Sequence, residues 1–210
     1  MNLPTSDTDF YQNLVSLLSN CGQSLDSQVS VAFFLEALVN TLPIGYACVW
    51  VQSTASSEKC GGRMDCYYLL SQQPSQKDEI ACLPEDHPIL QWMEKDEVVI
   101  IPHEDERMRI VSPNQSIEGG STVLFRLNAY GVLKFYCPEV SLEGASVMIQ
   151  AYKMAFHQFA KTLGGSLTFE RLRDEIEERQ FVERKLLQAQ AESHERERLF
   201  RIISENAKDV

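Results

Sequence analysis

From Ser166 to Glu205 the chain contains no proline, no glycine and no cluster of small polar residues that would turn it. Forty residues without a breaker read as one helix about 60 Å long at 1.5 Å per residue. A helix of that length cannot lie wholly on a domain built from the rest of a 210-residue chain. It must leave the core and find another way to cover its apolar residues. Phe169, Leu172 and Ile176 follow a three-four spacing, and Val182, Leu186, Ala189, Ser193, Arg196, Phe200 and Ile203 follow it again. A three-residue slip joins the two frames and leaves Arg179 and Glu183 near the seam. This pattern describes a two-stranded coiled coil with a phase break and a weak middle, since Ser193 and Arg196 occupy seam positions. Leu172, Ile176, Val182, Leu186, Phe200 and Ile203 are the expected contacts of a homodimer. Glu175 with Arg179, Glu192 with Arg196 and Glu197 with Arg201 are favourably ordered pairs four residues apart. The plainer reading is a solitary solvated helix, which is marginal in water at this polarity.

The residues before the helix have to supply the core. With 44% hydrophobic and 23% charged residues overall they can build one. The net charge of −11 is uneven: residues 1–165 carry 19 acidic and 10 basic side chains, and residues 166–210 carry 11 and 9. An acidic globular part excludes nucleic acid as its partner. No apolar run reaches the roughly 18 residues of a membrane span, and "MNLPTSDTDF" lacks the layout of a signal peptide, so the expected location is the cytoplasm, without membrane insertion. In that setting Cys21, Cys48, Cys60, Cys66, Cys82 and Cys137 are read as reduced thiols. The grouping of Cys60, Cys66, Cys82 and His87 is looser than the paired spacing of zinc ligands, and no metal site is assigned to it. A hairpin tip carrying two thiols accounts for "CGGRMDC" as well.

"SDTDFYQNLVSLLSN" places Phe10, Leu14, Leu17 and Leu18 on one helical face, with Ser6 or Asp7 as its cap. "SQVSVAFFLEALVNTL" does the same with Val31, Phe34, Leu35, Leu38 and Leu42, and Pro43 closes it. Strand patterns come next at 44–52 and 65–72, paired as a hairpin, then a short capped helix in "EDHPILQWMEKD" and a strand at 97–102. After an irregular stretch with one helical turn, "STVLFRLN" and "GVLKFYCP" form a tight hairpin around Ala129, Tyr130 and Gly131. "SLEGASVMIQAYKMAFHQFAKTL" is a helix whose apolar positions include Val147, Ala151, Met154, Phe156 and Phe159. This order predicts an α+β domain, an antiparallel sheet flanked by helices, with the long C-terminal coiled-coil helix after it.

"DHPILQWMEKDEVVIIPHEDERM" is similar to the segment of GAF domains in which a short helix precedes an acid-flanked strand. "STVLFRLNAYGVLKFYCPEVSLEGASVMIQAYKMAFHQFAKTL" resembles the GAF ending of strand, turn, strand and terminal helix, with Arg126 where that pattern has proline. The segment 174–210 resembles the connector helices of bacterial sensor proteins, and "LFRIISENAKDV" looks like the opening of a PAS domain. The implied organisation is an N-terminal helix at 1–25, a GAF-like sensory domain at 26–165, a signalling helix at 166–203 and the start of a PAS domain at 204–210. His194 in "SHERERL" faintly matches the phosphoacceptor box of histidine kinases, without the proline and the basic-threonine step of that box. It reads better as a surface histidine.

No phosphate-binding glycine loop, nucleophile elbow or zinc-protease helix is present, and no catalytic residue is assigned. The resemblance places a ligand pocket over the sheet, for which Trp50, Tyr68, Trp92, His103, Phe125 and Phe135 are the candidate lining. His103 comes directly after the strand where such pockets open and is the candidate polar group or haem ligand. An exposed loop histidine beside Glu104, Asp105 and Glu106 is the plainer account. The signatures that anchor bilin or bind cyclic nucleotides are missing, so the cofactor is unassigned. The expected function is the N-terminal sensory and dimerisation module of a bacterial signalling protein, relaying ligand or redox state to a diguanylate cyclase or histidine kinase output. The competing readings are a GAF-type methionine-sulfoxide reductase using paired cysteines, and a GAF domain that serves only to dimerise.

Overall fold

The computed structural model describes residues 7–53, 66–74, 79–112 and 119–206, except for the side chains of Asp7 and of residues 200–206. Helices α1 (Asp7–Ser19) and α2 (Ser27–Thr41) come first. Asp26 caps α2 by accepting the Val29 N–H at 2.9 Å, and Val31, Phe34, Leu35 and Leu38 are buried along it. Among the described residues six strands come after them: β1 (Tyr46–Gln52), β2 (Cys66–Gln73), β3 (Cys82–Pro84), β4 (Val98–Pro102), β5 (Ser121–Leu127) and β6 (Gly131–Cys137). They form one antiparallel sheet in the order β3-β2-β1-β6-β5-β4. Helices α3 (Pro88–Lys95) and α4 (Met108–Val111) flank β4 in sequence, and α5 (Leu142–Asn206) ends the described chain. Strand β3 is absent from the sequence expectation. Three residues, one of them proline, are too few to show a period of two.

Alternation along the strands divides the apolar residues into two cores. Val49, Val123, Phe125, Leu133 and Phe135 join α1, α2 and the first part of α5 in the larger one. Phe34 of α2 stacks on Phe159 of α5 at 3.8 Å between ring centroids, and Phe156 meets Phe125 and Phe135 at 5.2 and 5.6 Å. Cys48, Trp50, Leu124 and Val132, on the opposite face, pack with Leu83, Ile89, Leu90, Met93, Met108 and Val111 of β3, α3 and α4. Between β5 and β6 Asn128 takes a positive φ of 55°, which asparagine tolerates better than most residues. Gly131 is needed for a different reason: a Cβ there would lie 2.1 Å from the Trp50 carbonyl oxygen of β1.

Two expectations about α5 and the cysteines are corrected. The helix runs without interruption through Gly164 and Gly165, and its buried face is Ala145, Met148, Ile149, Tyr152, Ala155, Phe156, Phe159, Ala160 and Leu163. Val147 and Met154 are about 60% exposed and Ala151 is exposed. Both stripes have helical spacing; the sheet selects the one rich in small and aromatic residues, which lets Phe156 and Phe159 interlock with the strand aromatics. The reduced state read for all six cysteines is also corrected: Cys66 is disulfide-bonded, whereas Cys21, Cys48, Cys82 and Cys137 are thiols outside any disulfide. The compartment argument concerns average redox conditions and is blind to local geometry. Cys60 and the tip of the first hairpin lie outside the described residues.

The chain divides into two compact units, Met1–Leu167 and Thr168–Val210. In the second, Leu172, Ile176, Phe181, Val182, Leu186, Leu187 and Leu199 are each more than half exposed. Arg179 meets Glu175 at 2.6 Å and Arg196 meets Glu192 at 3.9 Å, as the four-residue spacing predicts. The side chains of Phe200, Arg201 and Ile203 lie outside those described. Among the described residues, no helix is long and apolar enough to cross a membrane.

Candidate ligand site

The central strand β6 reads Val132-Leu133-Lys134-Phe135-Tyr136, and its alternation sends Lys134 to the face away from α1, α2 and α5. Register places it between Leu124 of β5 and Cys48 of β1, in the middle of the sheet. The side chain is fully buried, and its ammonium donates to Glu79 Oε2 at 2.8 Å and to the Val111 carbonyl at 2.7 Å. The rings of Tyr46 and Trp50 lie 5.6 and 5.8 Å from Nζ. Glu79 is itself 2% exposed, and its other oxygen accepts the Ile80 N–H at 3.2 Å. Trp50 Nε1 donates to the Ile80 carbonyl at 2.7 Å, which ties the loop before β3 to β1.

A paired charge in a core is costly to bury and more costly to break, because removing one partner strands the other without solvent. Its neighbours are held neutral. Burial, reinforced by the nearby Glu79 carboxylate, pushes the Cys48 thiol and the Tyr46 phenol well above their ordinary values. Tyr46 donates to Gln72 Oε1 at 3.0 Å. Two more polar groups sit here without a hydrogen-bond partner, the hydroxyls of Ser112 and Thr122, both on buried residues. Ser112 comes directly after Val111, whose carbonyl holds Lys134, and Thr122 lies diagonally across from Lys134 on the same face.

Helix α3 packs on this face through Ile89, Leu90 and Met93, and both of its ends find partners. His87 Nδ1 accepts the Ile89 N–H at 3.3 Å at the N-terminus, with Pro88 as the first helical residue. At the other end Arg126 donates to the Met93 carbonyl at 3.0 Å. The arginine that stands in place of the proline of the GAF pattern thus anchors the last turn of α3. Arg107 pairs with Asp105 at 2.7 Å and lies 5.7 Å over the Trp92 ring.

The six residues expected to line one pocket are distributed by the pleat. Trp50 is buried beside Lys134, and Trp92 packs half-buried against the same cluster. Phe125, Phe135 and Tyr68 belong to the core under α2 and α5. His103 is on the exposed turn after β4, with Nε2 3.6 Å from Glu104 and its N–H on the Gly120 carbonyl at 3.1 Å. Lys134, Glu79, Tyr46, Ser112 and Thr122 do not stand out in the sequence. The one legible sign is a lysine inside an otherwise apolar strand run, a position where a charge needs a partner. A separate cleft of about 530 Å³ is lined by Asn13, Leu42, Pro43, Gly45 and Pro138 among others. It includes none of the buried charge.

No protein-family profile matches the chain, and no curated protein does. Solved structures do. The GAF domain of an Acinetobacter phosphoenolpyruvate-protein phosphotransferase superposes with a TM-score of 0.57 at 11% identity, over 78% of this chain and 97% of that one. The fold is GAF-like. The A. aeolicus nlh2 GAF domain in an inactive state gives 0.55 at 10% identity, over 78% and 98%. The free methionine-R-sulfoxide reductase of Neisseria meningitidis in complex with its substrate gives 0.56 at 14%, over 80% and 97%. Identities this low show a GAF-like fold and leave the chemistry to the residues. Among those described, no group of three His, Cys, Asp or Glu side chains could hold a metal ion.

Proposed function

We propose that the chain is a cytoplasmic sensory and dimerisation module of a bacterial signalling protein. The buried polar centre around Lys134 reads a small molecule, and α5 passes the result along a parallel homodimeric coiled coil to an output such as a diguanylate cyclase or histidine kinase. The observation that carries this reading is α5 itself. One helix supplies Phe156 and Phe159 to the core and then leaves Leu172, Ile176, Val182 and Leu186 exposed. Apolar residues at three-four spacing on so polar a helix call for a second copy. Resemblance of 174–210 to sensor connector helices supports the output, including a PAS domain beginning near 204. No catalysis is assigned to residues 1–210.

Multi-angle light scattering tests the dimer. A dimer mass at micromolar protein that falls to a monomer with Leu186→Asp is the expected result. A monomer mass in both, with the same thermal stability, would remove the support for the helix as an interface. The reductase is the second reading, favoured by the disulfide at Cys66 and by the fold of the Neisseria enzyme. Turnover of free methionine sulfoxide that is lost with Cys66→Ser would decide for it.

A further inference from the structure

We propose that Glu79 holds, on Lys134, the place of a ligand's carboxylate, and that the site takes a small monocarboxylic acid with an apolar or aromatic body by exchanging one carboxylate for the other. This rests on the sensory reading and names its ligand class.

The charge count selects the class. Lys134 and Glu79 are both buried and together neutral. An anion added beside the pair would leave one buried negative charge uncompensated, which the surroundings cannot solvate. Replacement of the Glu79 carboxylate by another single carboxylate keeps the site neutral, provided that Glu79 moves to water. A doubly charged phosphate or sulfate would not balance one lysine. Glu79 lies outside the strands and helices, in the stretch between β2 and β3, so no ladder hydrogen bond is lost when its side chain leaves.

The hydrogen-bond count agrees. Lys134 has three N–H groups and uses two, on Glu79 and on Val111. The Ser112 and Thr122 hydroxyls are unpartnered and buried, a state native interiors rarely leave standing. A ligand carboxylate offers about four acceptor positions, enough to accept from Lys134 and from a hydroxyl together. Tyr46, Trp50, Leu90 and Met93 give the surroundings an apolar and aromatic character. Trp50 also reports on the exchange, since its indole is bonded to Ile80, the residue after Glu79.

The experiment titrates the 210-residue chain with benzoate and with propionate against chloride and sulfate at matched ionic strength, read by Trp50 fluorescence in a Trp92→Phe background and by Tm. Saturable binding of a carboxylate to the wild type is expected, with an apparent affinity about tenfold tighter in Glu79→Ala, because the internal competitor is gone. Glu79→Gln, which keeps the shape and an acceptor for Ile80, serves if Glu79→Ala fails to fold. The double variant Glu79→Leu/Lys134→Met should show no saturable response. The proposal is overturned if the Glu79 variants respond to carboxylates no more than to chloride, if they bind no tighter than the wild type, or if the double variant still binds. It is also overturned if only the variants respond, since Glu79 is then a permanent partner. A Tm shift with some other metabolite under those failures would leave the sensory reading standing and remove only the ligand class.

Discussion

His87 works as a helix cap only when its ring is neutral, since Nδ1 must accept the Ile89 N–H. Burial lowers its pKa below the ordinary 6.5, with Asp86 opposing the shift. A lowered folded value means that the unfolded chain binds the proton first. The stability that His87 contributes is therefore complete above about pH 6.5 and is lost as the pH falls through the folded value. Glu97 and Asp105, whose carboxyls are lowered by hydrogen bonds from Lys153 and Arg107, act only in a more acid range. Urea unfolding at pH 7.5 and 5.5 should show a loss of stability toward acid that is smaller in His87→Asn, which caps without titrating. An equal loss in both would place the pH response elsewhere. At this scale the sequence shows the capped helix and misses the lysine that matters most. Lys134 looks ordinary until register sets it between Cys48 and Leu124.

Among the elements, α5 is the one whose continuity the sequence leaves open, because two adjacent glycines, Gly164 and Gly165, lie within it. They have different reasons to be there. A Cβ on Gly164 would lie 2.2 Å from Tyr130 Cε2, whereas nothing lies within 4 Å of a Cβ on Gly165. Gly165→Ala should stabilise the domain by about 0.5–1 kcal/mol through helix propensity. Gly164→Ala should forfeit that gain, because the Tyr130 ring has to be pushed from its place on the helix. Midpoints of urea unfolding separate the two. Equal gains would mean that the Tyr130 contact is loose and that Gly164 is dispensable. The face that α5 buries was ambiguous for a related reason: Val147 and Met154 are as apolar as Ile149 and Phe156, and periodicity alone cannot say which stripe meets a sheet.

For the molecule as a whole, the proposed relay puts the point where a signal alters the helix at the phase break near Ile176–Val182. Arg179 and Glu175 are paired on the surface there, and Arg179 and Glu183 fall where a coiled coil would place apolar residues. Little packing energy holds such a stretch in one arrangement, so two packings can differ by only a few kcal/mol, within reach of a ligand that binds them unequally. In a parent protein carrying an output domain, a seven-residue insertion at this point should largely preserve the ligand response. A four-residue insertion or deletion should lock or abolish it, since it rotates the downstream module by about half a turn relative to the seam. Equal responses would make the helix a passive tether.

Local rules were sufficient for the presence of the helices, though not for the continuity or buried face of α5, and for five of the six described strands, because caps, breakers and spacing act within a few residues of where they are read. They were sufficient for the α+β class as well, since the order of elements carries it. The division of the aromatics was beyond them. Trp50 and Phe135 face opposite sides of one sheet, and that results from the pleat and the register rather than from either residue's chemistry. The pairing of Lys134 with Glu79 joins positions 55 residues apart. Only the assembled sheet and the residues just before β3 bring them within 2.8 Å, and only burial there turns an ordinary lysine and glutamate into a pair that cannot be broken cheaply.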